Sequence, residues 1–193
     1  ILGGIWGQFW TQGPTSSQYK NLEQYSIQNT SYNRPWDSYY AGPLKDLKYI
    51  IEEGSATGKK NYVAIAKILQ AYIFQYLTDL YGDIPFSEAL DPNITSPHFD
   101  SQQQVYDGLI KLVDEGLAKI DLASSDHPTT DDLIYGGDMH LWQKFANTLK
   151  LKIYLRQAYV RPAVADAGIK AMYNANAQFL GTGEDALIQF IDQ

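Results

Sequence analysis

The sequence predicts an all-α protein made of tetratricopeptide-like helical hairpins with long loops inserted between them. Three observations predict it. Apolar residues recur at helical spacing in successive stretches between Trp36 and Ile153, the pattern by which a helix lays one face against a core. Helix punctuation bounds those stretches, with Gly82 and Pro85 as a stop and Asp138 and Pro162 as starts. Tyr39, Tyr72 and Tyr106 lie about one tetratricopeptide period, roughly 34 residues, apart. The residues flanking these tyrosines do not repeat, so the spacing by itself does not establish a repeat.

Composition narrows the class. A chain of 193 residues can bury one substantial core, and a hydrophobic share of 45% with a charged share of 19% speaks against both disorder and a coiled coil. The net charge of -7 leaves no basic footprint for a phosphate backbone, so nucleic acid is not an expected partner. The absence of cysteine excludes a disulfide framework, thiol catalysis and cysteine-based zinc sites. No stretch reaches the uninterrupted apolar length that spans a bilayer. The opening Ile1-Leu2-Gly3-Gly4-Ile5-Trp6 has no charged leader or cleavage site and reads as mid-protein sequence. The aromatic share of 13%, with 15 tyrosines, exceeds what a helical core requires, so some rings are expected to face a ligand.

Taken in order, Ile1 to Arg34 is rich in Gly, Gln, Asn, Ser and Tyr and reads as a long structured loop with one short helix ending near Trp10. Trp36, Tyr39, Tyr40, Leu44, Leu47, Ile50 and Ile51 then predict a first long helix, bent at Pro43 and stopped between Gly54 and Gly58. A stronger stripe, Tyr62, Ile65, Ala66, Leu69, Tyr72, Ile73, Tyr76, Leu77 and Leu80, predicts a second, with Gly82 in the left-handed position after its end. Asp100 with Gln103 is read as a capping box for a third helix whose inward face is Val105, Tyr106, Leu109, Leu112, Val113, Leu117 and Ile120. Asp138 should cap a fourth, with Leu141, Trp142, Phe145, Leu149 and Ile153 inward. Pro162 opens a fifth that runs to about Asn174. The expected organisation is one domain over 1–193: the loop at 1–34, a helical scaffold at 35–177, and a tail at 178–193 that forms a loop or short strand.

Two blocks carry a resemblance. Ala71 to Leu90 reads AYIFQYLTDLYGDIPFSEAL, and here the chain resembles the SusD/RagB family, whose members end a helix in Tyr-Gly-Asp-Ile/Val-Pro followed by Ser-Glu-Ala. In this chain those positions are Tyr81, Gly82, Asp83, Ile84 and Pro85, then Ser87, Glu88 and Ala89. The second block, Asp132 to Asp138 followed by Trp142, Phe145-Ala146-Asn147, Leu149-Lys150-Leu151 and Arg156, is similar to the second SusD-like branch of that family.

The resemblance implies an incomplete SusD-like fold, because such proteins are much longer. It implies a non-catalytic lipoprotein on the surface of a Bacteroidetes outer membrane, held by a lipid-bearing cysteine upstream of Ile1. Such a protein captures oligosaccharides or oligopeptides and delivers them to a SusC-type TonB-dependent transporter. No cofactor is implied.

Physically, Tyr81, Gly82, Asp83, Pro85 and Glu88 read as a helix stop that re-aims the chain, Asp138 as a cap and Trp142 as core. Arg156, spaced with Leu149 and Ile153, should share the inward face and needs a carboxylate, Asp79 or Asp83. Sugar rings stack on aromatic faces and their hydroxyls suit amides, so Trp10, Gln12, Tyr19, Tyr25, Asn29, Tyr32 and Asn33 are the candidate ligand residues. Trp6 and Trp36 are read as core. Asp79, Asp83 and Glu88 lie close in sequence, and paired carboxylates drive glycoside hydrolysis, yet Asp79 sits near a helix end, Asp83 lies beside a cap and no cleft is evident, so no catalytic residue is assigned. His98, His127 and His140 have no metal-ligand spacing and read as surface or capping residues, and Asp131, Asp132 and Asp138 depart from a calcium loop. No metal site is assigned. The alternative is a soluble tetratricopeptide-like adaptor, which would show even repeats with short loops in place of a long aromatic loop and two proline-bearing connections.

Overall fold

The structure, a computed structural model, describes residues 2–28 and 30–188. It is all-helical and tetratricopeptide-like, with eight helices and no strand among the described residues. The chain divides into two compact units, Ile1–Ser38 and Tyr39–Gln193.

The first unit holds α1 (Leu2–Trp6) and α2 (Lys20–Glu23), which pack against each other, with Ile5 and Leu22 buried. The short helix thus ends at Trp6, four residues before the expected Trp10, because Gln8 takes a left-handed φ of 60° and turns the chain back. Helix α3 (Asn33–Ala41) crosses into the second unit.

The second unit stacks α4 (Pro43–Thr57), α5 (Lys60–Tyr81), α6 (Gln102–Lys119), α7 (Met139–Arg156) and α8 (Pro162–Asn174), each against the next. The first long helix of the sequence reading is therefore two helices. Pro43 does not bend a continuous helix; it occupies the first turn of a new one, where its missing N–H would have no acceptor. The stop is Gly58 in the left-handed region, whereas Gly54 lies inside α4, its bare Cα letting Val63 of α5 approach. At the end of α5, Gly82 has the positive φ expected, 79°, but its ψ of -118° places it outside the left-handed helical well, in a region that only glycine enters readily.

The face buried by α5 only partly overlaps the predicted stripe. Ala66 and Leu77 are buried as expected, but Tyr72, Tyr76 and Leu80 are exposed, while Val63, Ala64, Ile68, Ala71, Phe74, Gln75 and Thr78 are buried. Helix α5 is flanked by α4 on one side and α6 and α7 on others, so its covered surface is set by three neighbours and not by hydrophobicity alone.

The capping box of α6 is one residue later than expected. Ser101 accepts from Gln104 N and the Gln104 side chain reaches back to Ser101 N, while Asp100 is buried and serves the preceding loop. On α6, Leu112, Leu117 and Ile120 are half-buried and Gly116 joins the core. Asp138 caps α7 as read, accepting from His140 N and Leu141 N, and Pro162–Asn174 matches the fifth helix. The tail forms no strand among the described residues, and Gln189 and Phe190 of its apolar run lie outside them.

Candidate ligand-binding site

The first unit gathers most of the predicted ligand residues. The amides of Phe9 and Trp10 both donate to the Gly4 carbonyl, at 2.9 and 3.2 Å, which folds the chain over α1. The Trp10 indole then lies against Gly4 so closely that a Cβ there would sit 2.6 Å from the ring. Glu23 braces the loop that follows: its carboxylate accepts from Gln12 N at 2.5 Å and Thr11 Oγ1 at 2.8 Å, and Gln12 Oε1 accepts from Tyr19 N at 3.0 Å. Donation from the Gln12 amide, then from Thr11, holds the Glu23 carboxyl below its ordinary range. Tyr25 sits at φ 54°, donates its hydroxyl to the Trp6 carbonyl and packs edge-on against the Trp6 ring at 4.6 Å.

The brace leaves a group of aromatic rings facing water. Trp6, Phe9, Trp10 and Tyr25 are 40%, 87%, 58% and 51% exposed, too much for a core role. Trp6 is thus on the surface, contrary to the sequence reading, and Trp36 is only half-buried. Among the candidates, Trp10 and Tyr25 belong to this group. Gln12 and Tyr19 hold the loop through backbone contacts, Tyr32 is half-buried, and Asn33 opens α3 with its amide on the Thr30 carbonyl. Asn29 lies outside the described residues. Phe9 was missed; its place beside Trp10, after a glycine two positions earlier, was the available signal.

The motif residues organise the scaffold. Asp83 accepts from Gln102 N at 2.8 Å and so caps α6, and Pro85 O accepts the Tyr40 hydroxyl at 2.6 Å. Tyr81 is half-buried at the end of α5. Asp132 takes four donors: Ile134 N and Tyr135 N on one oxygen, Gly137 N and Trp142 Nε1 on the other. That carboxylate ties the turn before α7 to buried Trp142.

Arg156 pairs with Asp79 at 2.9 Å, one of the two carboxylates expected. Its side chain is 53% exposed, so it lies at the rim of the helix packing and not on the inward face. Asp79 also accepts from Tyr106 and Gln75. With Asp83 on α6 and Glu88 on His98, all three carboxylates weighed for catalysis are engaged in holding structure. No group of residues able to hold a metal occurs among the described residues.

His98 does more than coat the surface. Its Nδ1 lies 2.8 Å from Glu88 Oε2 and its Nε2 3.2 Å from Asp100 Oδ1, so both ring nitrogens face carboxylates. Hydrogen bonding to Glu88 raises the His98 pKa above its ordinary 6.5. Donation from the His98 amide lowers Glu88. Burial pushes Asp100 up, but the amides of Ser87 and Phe86 and the Ser87 hydroxyl outweigh it and leave Asp100 lowered. The sign follows from these directions. The His98 contribution is fully present below pH about 6.5 and is lost as pH rises through its raised value, while the carboxylate contributions are lost only in acid. The 86–100 loop should therefore be held best in mildly acidic solution. Hydrogen exchange, corrected for its intrinsic pH dependence, is expected to show protection of the His98 amide falling above neutrality in the natural chain and staying flat in His98→Gln.

The chain matches the second SusD-like family, described as starch-binding and associating with the outer membrane, over residues 5–193. No curated protein sequence matches it. Among solved structures, it is similar to a chitin-binding protein at 31% identity and a TM-score of 0.81, over 96% of this chain and 40% of that one. A SusD-like protein described as Bacteroidetes AC2a matches at 29% identity and 0.76, over 88% and 31%. A SusD homologue from Bacteroides uniformis matches at 26% and 0.68, over 78% and 31%. The chain spans two fifths or less of the length of these structures.

Proposed function

Because this chain belongs to the second SusD-like family, a family of non-catalytic binding proteins that associate with the outer membrane, we propose that it captures oligosaccharides through the exposed aromatic rings of its first unit. The observation that carries this reading is the group Trp6, Phe9, Trp10 and Tyr25, kept on the surface by a loop braced through Glu23. Rings held this way present flat apolar faces to the C–H faces of sugars at little entropic cost, because the loop is ordered before the ligand arrives. The likeness to a chitin-binding protein supports a glycan over a peptide. The captured glycan is handed to a SusC-type TonB-dependent transporter by a protein anchored through an upstream lipid. In this role residues 1–193 form part of a single SusD-like domain.

Calorimetry with chitin-derived and starch-derived oligosaccharides and a mixed peptide panel tests it. Trp10→Ala is expected to weaken glycan binding roughly tenfold, as loss of an anchoring aromatic does, without moving the melting temperature. Peptide binding with no glycan binding would replace the ligand class. Glycan binding untouched by Trp10→Ala and Phe9→Ala would remove the aromatic group from the site.

A further inference from the structure

The second unit contains a cleft that neither the family motif nor the aromatic group explains. It has a volume of about 390 Å³ and lies where α5, α6 and the α7–α8 corner meet, lined by Asp79, Gln102, Tyr106, Arg156, Val160 and Arg161 among others. In a chain of net charge -7, it is notable that its charged lining residues are two arginines and one aspartate.

The aspartate is not available to a ligand. Asp79 Oδ1 accepts the Tyr106 hydroxyl at 2.5 Å, and Oδ2 accepts Gln75 Nε2 at 3.1 Å and Arg156 Nη2 at 2.9 Å. Gln157, also on the wall, is engaged at both ends, its Nε2 on the Ile153 carbonyl and its Oε1 on Arg161. The arginines are less fully used. Arg161 places Nη1 on Asp107 at 2.8 Å and on Gln157, leaving Nη2 and Nε without an acceptor among the described residues. Arg156 is half-exposed, and a guanidinium carries five donors in a fork that matches a carboxylate. The cleft therefore offers donors from two cations, while its one carboxylate, Asp79, is occupied. At its mouth Val160 is 78% exposed, an apolar surface suited to the C–H face of a ring.

We propose that this cleft binds the carboxylate of an acidic sugar, a uronic acid unit, through Arg156 and Arg161. The inference rests on the oligosaccharide reading for the class of ligand, but on different residues. Asp107, on the outer side of Arg161, competes with the ligand for Nη1.

The test is a titration of the arginine side-chain N–H resonances by NMR on the complete chain. The probes are a galacturonate trisaccharide, the neutral galactose trisaccharide, inorganic sulfate and a short peptide with a free carboxyl end. The galacturonate is expected to shift Arg156 and Arg161 while the other three do not. Arg161→Gln should weaken the response roughly tenfold, the scale of one charge-assisted hydrogen bond, and Asp107→Asn should strengthen it several-fold by removing the negative charge that competes for the Arg161 guanidinium. Absence of a shift with galacturonate, an equal response to sulfate or peptide, or a weaker response in Asp107→Asn would overturn the proposal. The indole resonance of Trp10, read in the same titrations, keeps the two sites apart. Glycan binding seen at Trp10 with a cleft silent to galacturonate overturns this inference alone, and a cleft responsive to galacturonate with Trp10 silent to every glycan overturns only the aromatic reading.

Discussion

Gly137→Ala is expected to destabilise the protein by roughly 4 kcal/mol or more, at the severe end for a single substitution. Two effects add. The residue sits at φ 86°, where a Cβ is strained by about 1 kcal/mol. The added carbon would also lie 1.7 Å from the Pro128 carbonyl oxygen and 2.7 Å from its carbon, inside a turn that cannot yield without breaking other bonds. Those bonds are Gly137 N to Asp132 at 2.9 Å and the His127 ring to the same Pro128 oxygen at 2.8 Å. The neighbouring Gly136 is the internal control. It has φ 60° and open space where a Cβ would go, so Gly136→Ala should show the conformational strain alone, about 1 kcal/mol. In a domain of this size the two variants should differ in melting temperature by on the order of 10 °C. Equal losses would mean the steric term is absent.

Asp132→Asn is expected to cost about 3 kcal/mol although it changes no volume. Each carboxylate oxygen of Asp132 accepts two donors, and the Trp142 indole is the closest at 2.7 Å. An amide can keep one oxygen but must turn its NH2 toward the other pair of donors, so two N–H groups lose their acceptor whichever way the side chain flips. Trp142 is 1% exposed, and its indole has no water to turn to. Chemical denaturation measures the loss, and an upfield move of the Trp142 indole N–H resonance would assign it to that bond. A variant as stable as the natural chain would show that the turn is held by backbone geometry alone.

The same turn illustrates what could be read beforehand. The run Asp132-Leu133-Ile134-Tyr135-Gly136-Gly137-Asp138 marked a family block, and Asp138 was legible as a cap because capping needs only a residue and the amides two and three positions on. The role of Asp132 was not legible, since two of its four donors, Gly137 N and Trp142 Nε1, are brought to it by the fold of the turn. Asp100 misled for a related reason. Its neighbour Ser101 offered an equally good cap one residue later, and only the antiparallel bridge between Ile84 and Asp100 shows why the aspartate is turned the other way, onto Phe86 and Ser87. His98 gave no local signal at all, because its carboxylate partners, Glu88 ten residues earlier and Asp100 two later, converge only when the loop closes.

What the sequence determined by itself was the helical class, the family, and the ends of the helices marked by Asp138, Pro162 and Gly82, for a helix terminus is set by the chemistry of a few adjacent residues. The tertiary structure decided which faces are covered. It buried Val63, Ile68 and Phe74 while leaving Tyr72 and Tyr76 exposed, brought Trp6 to the surface, and selected Asp79 over Asp83 as the partner of Arg156. Periodicity records that a helix has an apolar side; which side meets a neighbour depends on where the neighbouring helices lie, and that is a property of the packed whole.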